Sequence, residues 1–513
     1  MQCASSPSVQ PCGDCDEATG RPELAGGDER TEAMMDVVVD PILEAPPPTP
    51  VGGVAVRGLR AAVRGEVLIA GDAGYDAARA VWNAMIDRRP GVIVRCRTTA
   101  DVVAAVAFAR EHRQPVSVRG GGHNVAGHAV SEGGVMVDLS LMNDVRVDPE
   151  RARALVQGGA TWAAVDRATQ EHGLATPGGL ISDTGVGGLT LSGGIGWLRS
   201  RYGLAIDNLV SADVVTADGH TLRASATENA DLFWALRGGG GNFGVVTEFE
   251  FALHAVGPTV MFAAPILPIE AGAGPIRAWR DFLADKHSDV GSLIEFSTIP
   301  ASPDYPEAAW GRRVYTVAAL YAGDPDEGEA LLRPLLELGE PLVDFTGQMA
   351  YRDVQQLFDA VIPFGEHRCY WKSRYLSRLD DEAIDLIVAG NERPTSPNTL
   401  SSIWNFGGAT AEIDADATAF GDRSMPWMVS IDSIWDTADQ DAENIAWTRS
   451  FWERLEPFAD RGRIYLNFAG HGEDNDELTR RAFGSNYERL ADIKRRYDPT
   501  NMFRFNQNIQ PAT

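Results

Sequence analysis

The residues of this 513-residue chain best suited to chemistry lie in three glycine-rich segments. They are Arg119-Gly-Gly-Gly-His-Asn-Val-Ala-Gly-His128, the run from Gly178 to Gly196, and Arg237-Gly-Gly-Gly-Gly-Asn-Phe-Gly-Val-Val246. Glycine permits positive φ and close backbone approach, so amide N–H groups in such loops can converge on phosphate oxygens. A large phosphate-bearing cofactor suits these loops; composition alone leaves a set of tight turns equally open. Gly239-x-Gly241-x-x-Gly244 also spells the dinucleotide motif as a string. That motif requires a helix after the loop, whereas Phe243-Gly-Val-Val-Thr-Glu-Phe-Glu-Phe251 alternates as a strand, so the match is discarded. Cys12-Gly-Asp-Cys15 has no second ligand pair and no βαβ context, which argues against a metal or redox centre, and no metal site is expected.

The elements that must hold these loops read as alternating helices and strands. A helix is expected over about 75–87, a strand over 91–96, a helix over 99–112 opened by Thr98 and Thr99 before Asp101, and a strand over 115–119, which together make a βαβ unit. Strands at 135–139, 145–148 and 153–156 and a helix at 161–172 follow. After Val256-Gly257-Pro258 the glycine clusters stop. A helix near 270–284 and strands near 312–321, 369–377, 401–407 and 426–435 predict a second domain on a large antiparallel sheet. Ile464–Phe468 reads as a strand, and a helix is expected over about 485–497. The fold class is α+β.

Composition excludes several classes. Hydrophobic residues make up 44% and charged residues 23%, ordinary for a globular protein. The formal charge is −27, which repels a phosphate backbone or an anionic bilayer, so neither nucleic acid nor membrane is an expected partner. No signal peptide and no stretch of 18 apolar residues is visible, so a cytoplasmic location is expected. Residues 1–55 carry ten acidic and two basic residues and end near a proline run, a composition read as a disordered acidic leader. Cys96 and Cys369 are the only cysteines beyond it, so no disulfide framework holds the fold.

Taken in order, Arg119-Gly-Gly-Gly-His123, Gly185-Val-Gly-Gly188, Ser192-Gly-Gly-Ile-Gly196, Arg201-Tyr-Gly-Leu204, Asp231-Leu-Phe-Trp234, Gly238–Gly244, Tyr465-Leu-Asn467 and Tyr497-Asp-Pro499 to Gln507 resemble the berberine bridge enzyme-like group of FAD-linked oxidases. The likeness spans about residues 56–510. It implies a two-subdomain FAD-binding domain of the vanillyl-alcohol-oxidase (PCMH) type over 56–257, a substrate domain over 258–460 built on an antiparallel sheet covered by helices, and a segment over 461–513 completing the FAD domain. It also implies that the flavin 8α-methyl is attached to His123, with His128 supporting the loop. Further FAD contacts are implied at Arg119, Gly120, Gly121, Gly122, Asn124, Gly127, Thr184, Gly185, Gly187, Gly188, Gly193, Gly194, Gly196, Gly244, Val246, Asn467 and Asn506.

Departures from the group sharpen the expectation. Ile181 stands where some members carry a second, cysteinyl link, so a single histidyl attachment is expected. Leu189 replaces a common histidine, and Thr184 occupies the place associated with oxygen access. The implied activity is hydride removal from an alcohol or amine carbon of a small molecule, with a secondary metabolite as the expected substrate class, dioxygen regenerating the flavin and releasing H2O2. A dehydrogenase using another acceptor and a non-catalytic flavin-binding protein are the alternatives. Such chemistry needs a group that takes the O–H or N–H proton. Tyr465 aligns with a tyrosine that is the base in several relatives; its phenol, ordinarily near pKa 10, needs a cation or donor nearby. Asp432, which shares a strand face with Ser430, is the rival. Tyr370, Trp371 and Lys372 either line the pocket or pack the sheet.

Overall fold

The computed structural model describes residues 52–285, 289–421, 423–459, 464–472 and 476–513. The leader through residue 51, with Cys12 and Cys15, lies outside them. The described chain corrects the end of that leader, because Gly53–Ala62 is a helix that buries Val56 and Leu59 against the first sheet.

The first sheet has four strands in the spatial order Glu66–Leu68, Val92–Arg95, Val135–Asp138, Val116–Arg119, the last three parallel. The helix Thr99–Glu111 makes the crossover, and Thr98 and Asp101 cap it reciprocally, satisfying otherwise orphaned N–H groups. Of the helix expected over 75–87, only Tyr75–Arg79 forms. Beyond it, tertiary acceptors take the backbone donors: Trp82 N–H bonds Gly122 O, and Ala84 N–H bonds His367 O. Asn83 Nδ2 also donates to Val125 O and Cys369 O. This segment therefore ties the first glycine loop to the large sheet.

The second sheet has five antiparallel strands in the order Val145–Asp148, Arg153–Gln157, Val245–Ala252, Leu209–Val215, Thr221–Ser225. The run after the third glycine loop is thus a strand, as its alternation requires. Phe249 and Phe251 are fully buried with Trp162 and Val165 of the helix Trp162–Gln170, and Leu490 and Ile493 of the C-terminal helix Tyr487–Tyr497 join that core.

The third sheet has nine strands between Thr259 and Trp435. Its central order is Arg313–Tyr321, Val290–Thr298, Leu400–Asn405, Trp427–Trp435, Arg368–Leu376, all antiparallel. Side chains alternate between its two faces. Ile294, Val317, Ile403, Val429 and Ile431 pack under helices that include Gly274–Asp285, Asp381–Asn391 and Asp441–Arg454. Leu293, Trp404 and Met428 face the other way, toward Trp197, Leu198, Leu204 and Tyr465. A polar row shares that second face: Glu295 opposite Ser402, Ser402 opposite Ser430, Ser430 opposite Ser373.

The strand expected over Ile464–Phe468 is corrected to a 3₁₀ turn, Leu466–Phe468. Ser373 Oγ accepts the Tyr465 N–H at 2.9 Å, and Phe468 N–H turns back to Tyr465 O, which replaces the ladder bonds a strand would need. No helix among the described residues is long and apolar enough to cross a membrane.

Candidate active site

One cavity of about 300 Å³ runs between the glycine loops and the polar face of the large sheet. Gly120, Gly121, Gly122, His123, Asn124, Thr184, Gly185, Gly187, Gly188, Gly244, Val246, Asn467 and Asn506 line one part of it; Tyr465, Asp432, Glu295, Ser402, Trp371, Trp404 and Phe468 line another.

The glycine loops form their wall by backbone contact. A Cβ on Gly121 would lie 2.3 Å from Gly185 N, and one on Gly185 would lie 2.2 Å from Gly121 N, so the first two motifs pack chain against chain. Gly188 differs: its Cβ would meet nothing within 4 Å, although its backbone lines the cavity. No packing demand from the protein holds glycine there, whereas a bulky group seated in the cavity would supply the missing neighbour. The described lining contains no lysine or arginine, so a phosphate held here would rely on backbone N–H groups. Asn506 Oδ1 is buried without a partner. These features fit FAD, with the loops as its cradle.

His123 stacks on Trp82 with ring centroids 5.1 Å apart. Its Nδ1 lies 3.4 Å from Thr184 Oγ1, and its Nε2 is 2.7 Å from Asp183 Oδ1 but not aligned for a hydrogen bond. Ile181 and Leu189 are on the wall, as is His128, whose N–H bonds Asn124 Oδ1. The remaining residues expected to touch FAD lie behind the wall. Arg119 turns away to donate to Ala78 O at 2.5 Å. Gly127 packs on Ile86, and a Cβ on Gly196 would lie 1.6 Å from Gly178 O. Gly193 and Gly194, both at positive φ, make the turn that presents Gly194 N–H to Tyr465 Oη at 3.2 Å.

Tyr465 Oη also accepts from Asn467 Nδ2 at 2.8 Å. Burial nevertheless raises its pKa above the ordinary phenol value, against the opposing effect of these donors, and no cation contributes. Asp432 is buried too; desolvation pushes its carboxyl up to about 7, with the Ser430 hydroxyl working the other way. Its Oδ1 has no partner. Glu295, absent from the sequence expectations, is raised well above the carboxylate range, chiefly by burial and further by the Asp432 charge. Ser402 Oγ donates to it. Only the cross-strand register reveals Glu295; the local run Leu293-Ile-Glu-Phe reads as plain strand. Trp371 faces the cavity, while Tyr370 bonds Arg449 at 2.9 Å and Lys372 lies 4.2 Å over Trp452, on the helix side.

The C-terminal segment is fixed at the wall by buried groups. Lys494 Nζ donates to Asp498 at 2.7 Å, to Asn242 O at 2.7 Å and to Phe503 O at 2.9 Å. Gln507 Nε2 donates to Leu466 O at 3.0 Å. Among the described residues no cluster of His, Cys, Asp and Glu could hold a metal.

A family model described as an FAD binding domain matches residues 90–225, and one described as berberine and berberine like matches residues 464–510. FAD-linked oxidoreductase pgmH of Aspergillus terreus is 32% identical over 86% of this chain and 93% of its own length. (R)-6-hydroxynicotine oxidase of Paenarthrobacter nicotinovorans is 30% identical over 88% of this chain and 97% of its own. Among solved structures, 6-hydroxy-D-nicotine oxidase of Arthrobacter nicotinovorans superposes with TM-score 0.77 at 29% identity, covering 88% of this chain and 98% of that one. Berberine bridge enzyme superposes with TM-score 0.80 at 22% identity, covering 91% and 100%.

Proposed function

Because this chain belongs to the berberine-like FAD-linked oxidoreductases, we propose that it is an oxidase of a small organic molecule, with His123 as a single covalent flavin anchor and Asp432 as the proton acceptor. FAD, when bound, would supply the hydride acceptor, with dioxygen as the final electron acceptor and hydrogen peroxide as its product.

Asp432 carries the assignment. A general base works best with a pKa near the working pH, and burial lifts Asp432 to about 7. Asp432 lines the cavity and its buried Oδ1 has no partner within the protein, which leaves that oxygen to take an O–H or N–H proton. Tyr465, the sequence-favoured base, is moved the wrong way by burial. With two donors already on its oxygen, its own proton is free to be donated to a substrate heteroatom. Tyr465 therefore orients the substrate and Asp432 takes the proton. Leu180, Phe358 and Ile362 on the wall favour an apolar body. The activities in the relatives' names, on a hydroxynicotine and on a xylooligosaccharide, support a small-molecule substrate, and a secondary metabolite suits this lining.

The test is an anaerobic panel of alcohols and amines scored by bleaching of the flavin, followed by admission of air. Rapid recolouring with stoichiometric peroxide is expected. A reduced enzyme that stays bleached in air identifies a dehydrogenase instead.

A further inference from the structure

The two ring nitrogens of His123 have different neighbours. Nδ1 lies 3.4 Å from Thr184 Oγ1, and Nε2 lies 2.7 Å from Asp183 Oδ1. His123 and Thr184 line the cavity; Asp183 is not among the lining residues, and its side chain is half exposed. The ring thus has Nδ1 on the side of the cavity residue and Nε2 against a carboxylate outside. The Nε2 to Asp183 distance is that of a hydrogen bond and its angle is not; catalytic pairs often align only once the reacting partner is in place.

The loop that carries Asp183 is pinned on both sides of it. Trp162 N–H and Ala163 N–H, at the start of the helix Trp162–Gln170, donate to Thr184 O at 3.0 Å and to Ser182 O at 2.7 Å. Asp359 Oδ1 accepts the Ser182 N–H at 2.7 Å, and its Oδ2 accepts the Ser182 hydroxyl. Gly121 and Gly185 pack chain against chain just beyond, so the loops carrying His123 and Asp183 are held together. The imidazole itself is stacked on Trp82 with 24° between the planes, and Phe364 approaches it with centroids 6.1 Å apart. Ring and carboxylate are therefore both placed before any cofactor arrives.

We propose that Asp183 is a positioning residue for covalent attachment of the flavin to His123: it holds the ring hydrogen on Nε2, leaves the Nδ1 lone pair to form the bond, and takes the Nε2 proton as the bond forms. The inference rests on the His123 anchor proposed above. The hydrogen bond made by one imidazole nitrogen decides the state of the other, and a nucleophile is activated by an adjacent base. Attachment forms a bond from Nδ1 to the flavin 8α-carbon and breaks one C–H bond of that methyl and the Nε2–H bond. The carbon-bound hydrogen leaves as a proton to solvent. The Nε2 proton goes to Asp183, because an imidazole alkylated at Nδ1 is neutral only once Nε2 has lost its hydrogen. The two electrons released reduce the isoalloxazine, and dioxygen then takes them, with two protons, as hydrogen peroxide.

The test uses the full-length chain produced under riboflavin limitation and then given FAD in air. Two signals are followed: FAD retained by the native protein, and FAD that stays with acid-precipitated protein. Asp183→Asn should take up FAD as the wild type does but attach it about a hundredfold more slowly, a loss in the range for a missing base. Asp183→Glu should keep attachment within about tenfold of wild type. In Asp183→Ala, added formate should speed attachment at least about tenfold, a response that a purely structural role does not give. Attachment by Asp183→Asn within about threefold of wild type overturns the proposal, as does an Asp183→Ala protein indifferent to formate, or FAD uptake lost together with attachment. The formate arm decides if Asp183→Asn fails to accumulate. Wild type that releases all its flavin on precipitation removes the His123 anchor and this inference with it, whereas normal attachment in Asp183→Asn removes this inference alone.

Discussion

Asn467 Nδ2 donates to Tyr465 Oη at 2.8 Å across a single 3₁₀ turn. The contact needs Tyr465 and Asn467 on the same side of the chain, which a strand would also give; but the turn adds a second donor, Gly194 N–H, from the glycine loop beneath. The phenol oxygen is thereby an acceptor twice over without any cation beside it. Both donors favour the phenolate, but burial outweighs them and raises the pKa above the ordinary phenol value, so the hydroxyl keeps its proton and can give it to a substrate heteroatom.

The first prediction concerns the base. Asp432→Asn should slow anaerobic flavin reduction by roughly 10²- to 10⁴-fold, about 3–5 kcal/mol in the barrier. Tyr465→Phe should slow it by about tenfold at most, a loss well short of base removal. Stopped-flow bleaching at saturating substrate measures both. A larger loss in Tyr465→Phe than in Asp432→Asn would return the base to Tyr465.

The pH profile follows from the same carboxyl. Burial raises the Asp432 pKa, so its ionised, proton-accepting form is depleted as pH falls below about 7. In consequence kcat/KM should rise with pH, by about tenfold per unit on the acid limb, and level off above about 7. Asp432→Asn should remove that limb; its survival in the variant would assign it to another group.

Flavin attachment gives a visible assay. Acid-precipitated wild type should stay yellow, and His123→Ala should lose its colour into the supernatant. A single adduct is expected because Ile181 offers no thiolate. Cys96 and Cys369 are buried, and a flavopeptide carrying either would contradict the single link.

Two glycine substitutions should separate fold from cofactor. Gly121→Ala drives a Cβ to within 2.3 Å of Gly185 N and should cost roughly 1–3 kcal/mol through overpacking, lowering Tm even without flavin. Gly188→Ala meets no protein atom within 4 Å, so the apoprotein should melt normally while FAD incorporation falls.

Lys494 offers a stability test away from the reaction. Its side chain and that of Asp498 are fully buried, and Lys494→Met strands the carboxylate. A loss of roughly 3–5 kcal/mol is expected, read as a lower urea midpoint. FAD content should fall with it, since Lys494 also holds the carbonyl of Phe503, which lines the cavity, and that of Asn242 in the third glycine loop.

What the sequence determined by itself was local. Glycine spacing located the loops that line the cavity, because tight backbone approach has no substitute residue. Period-two alternation put Asp432 and Ser430 on one face and made Val245–Ala252 a strand, which ruled out the dinucleotide motif. Tertiary structure decided the rest. Glu295 meets Asp432 only through the ladder of an intervening strand, and nothing in its own neighbours marks it. Tyr465 lies in a turn because Ser373 takes its N–H, and the helix after Tyr75 stops because Gly122 and His367 take the next donors. In each case a residue distant in sequence supplied the partner, so the short-range pattern carried no trace of the outcome.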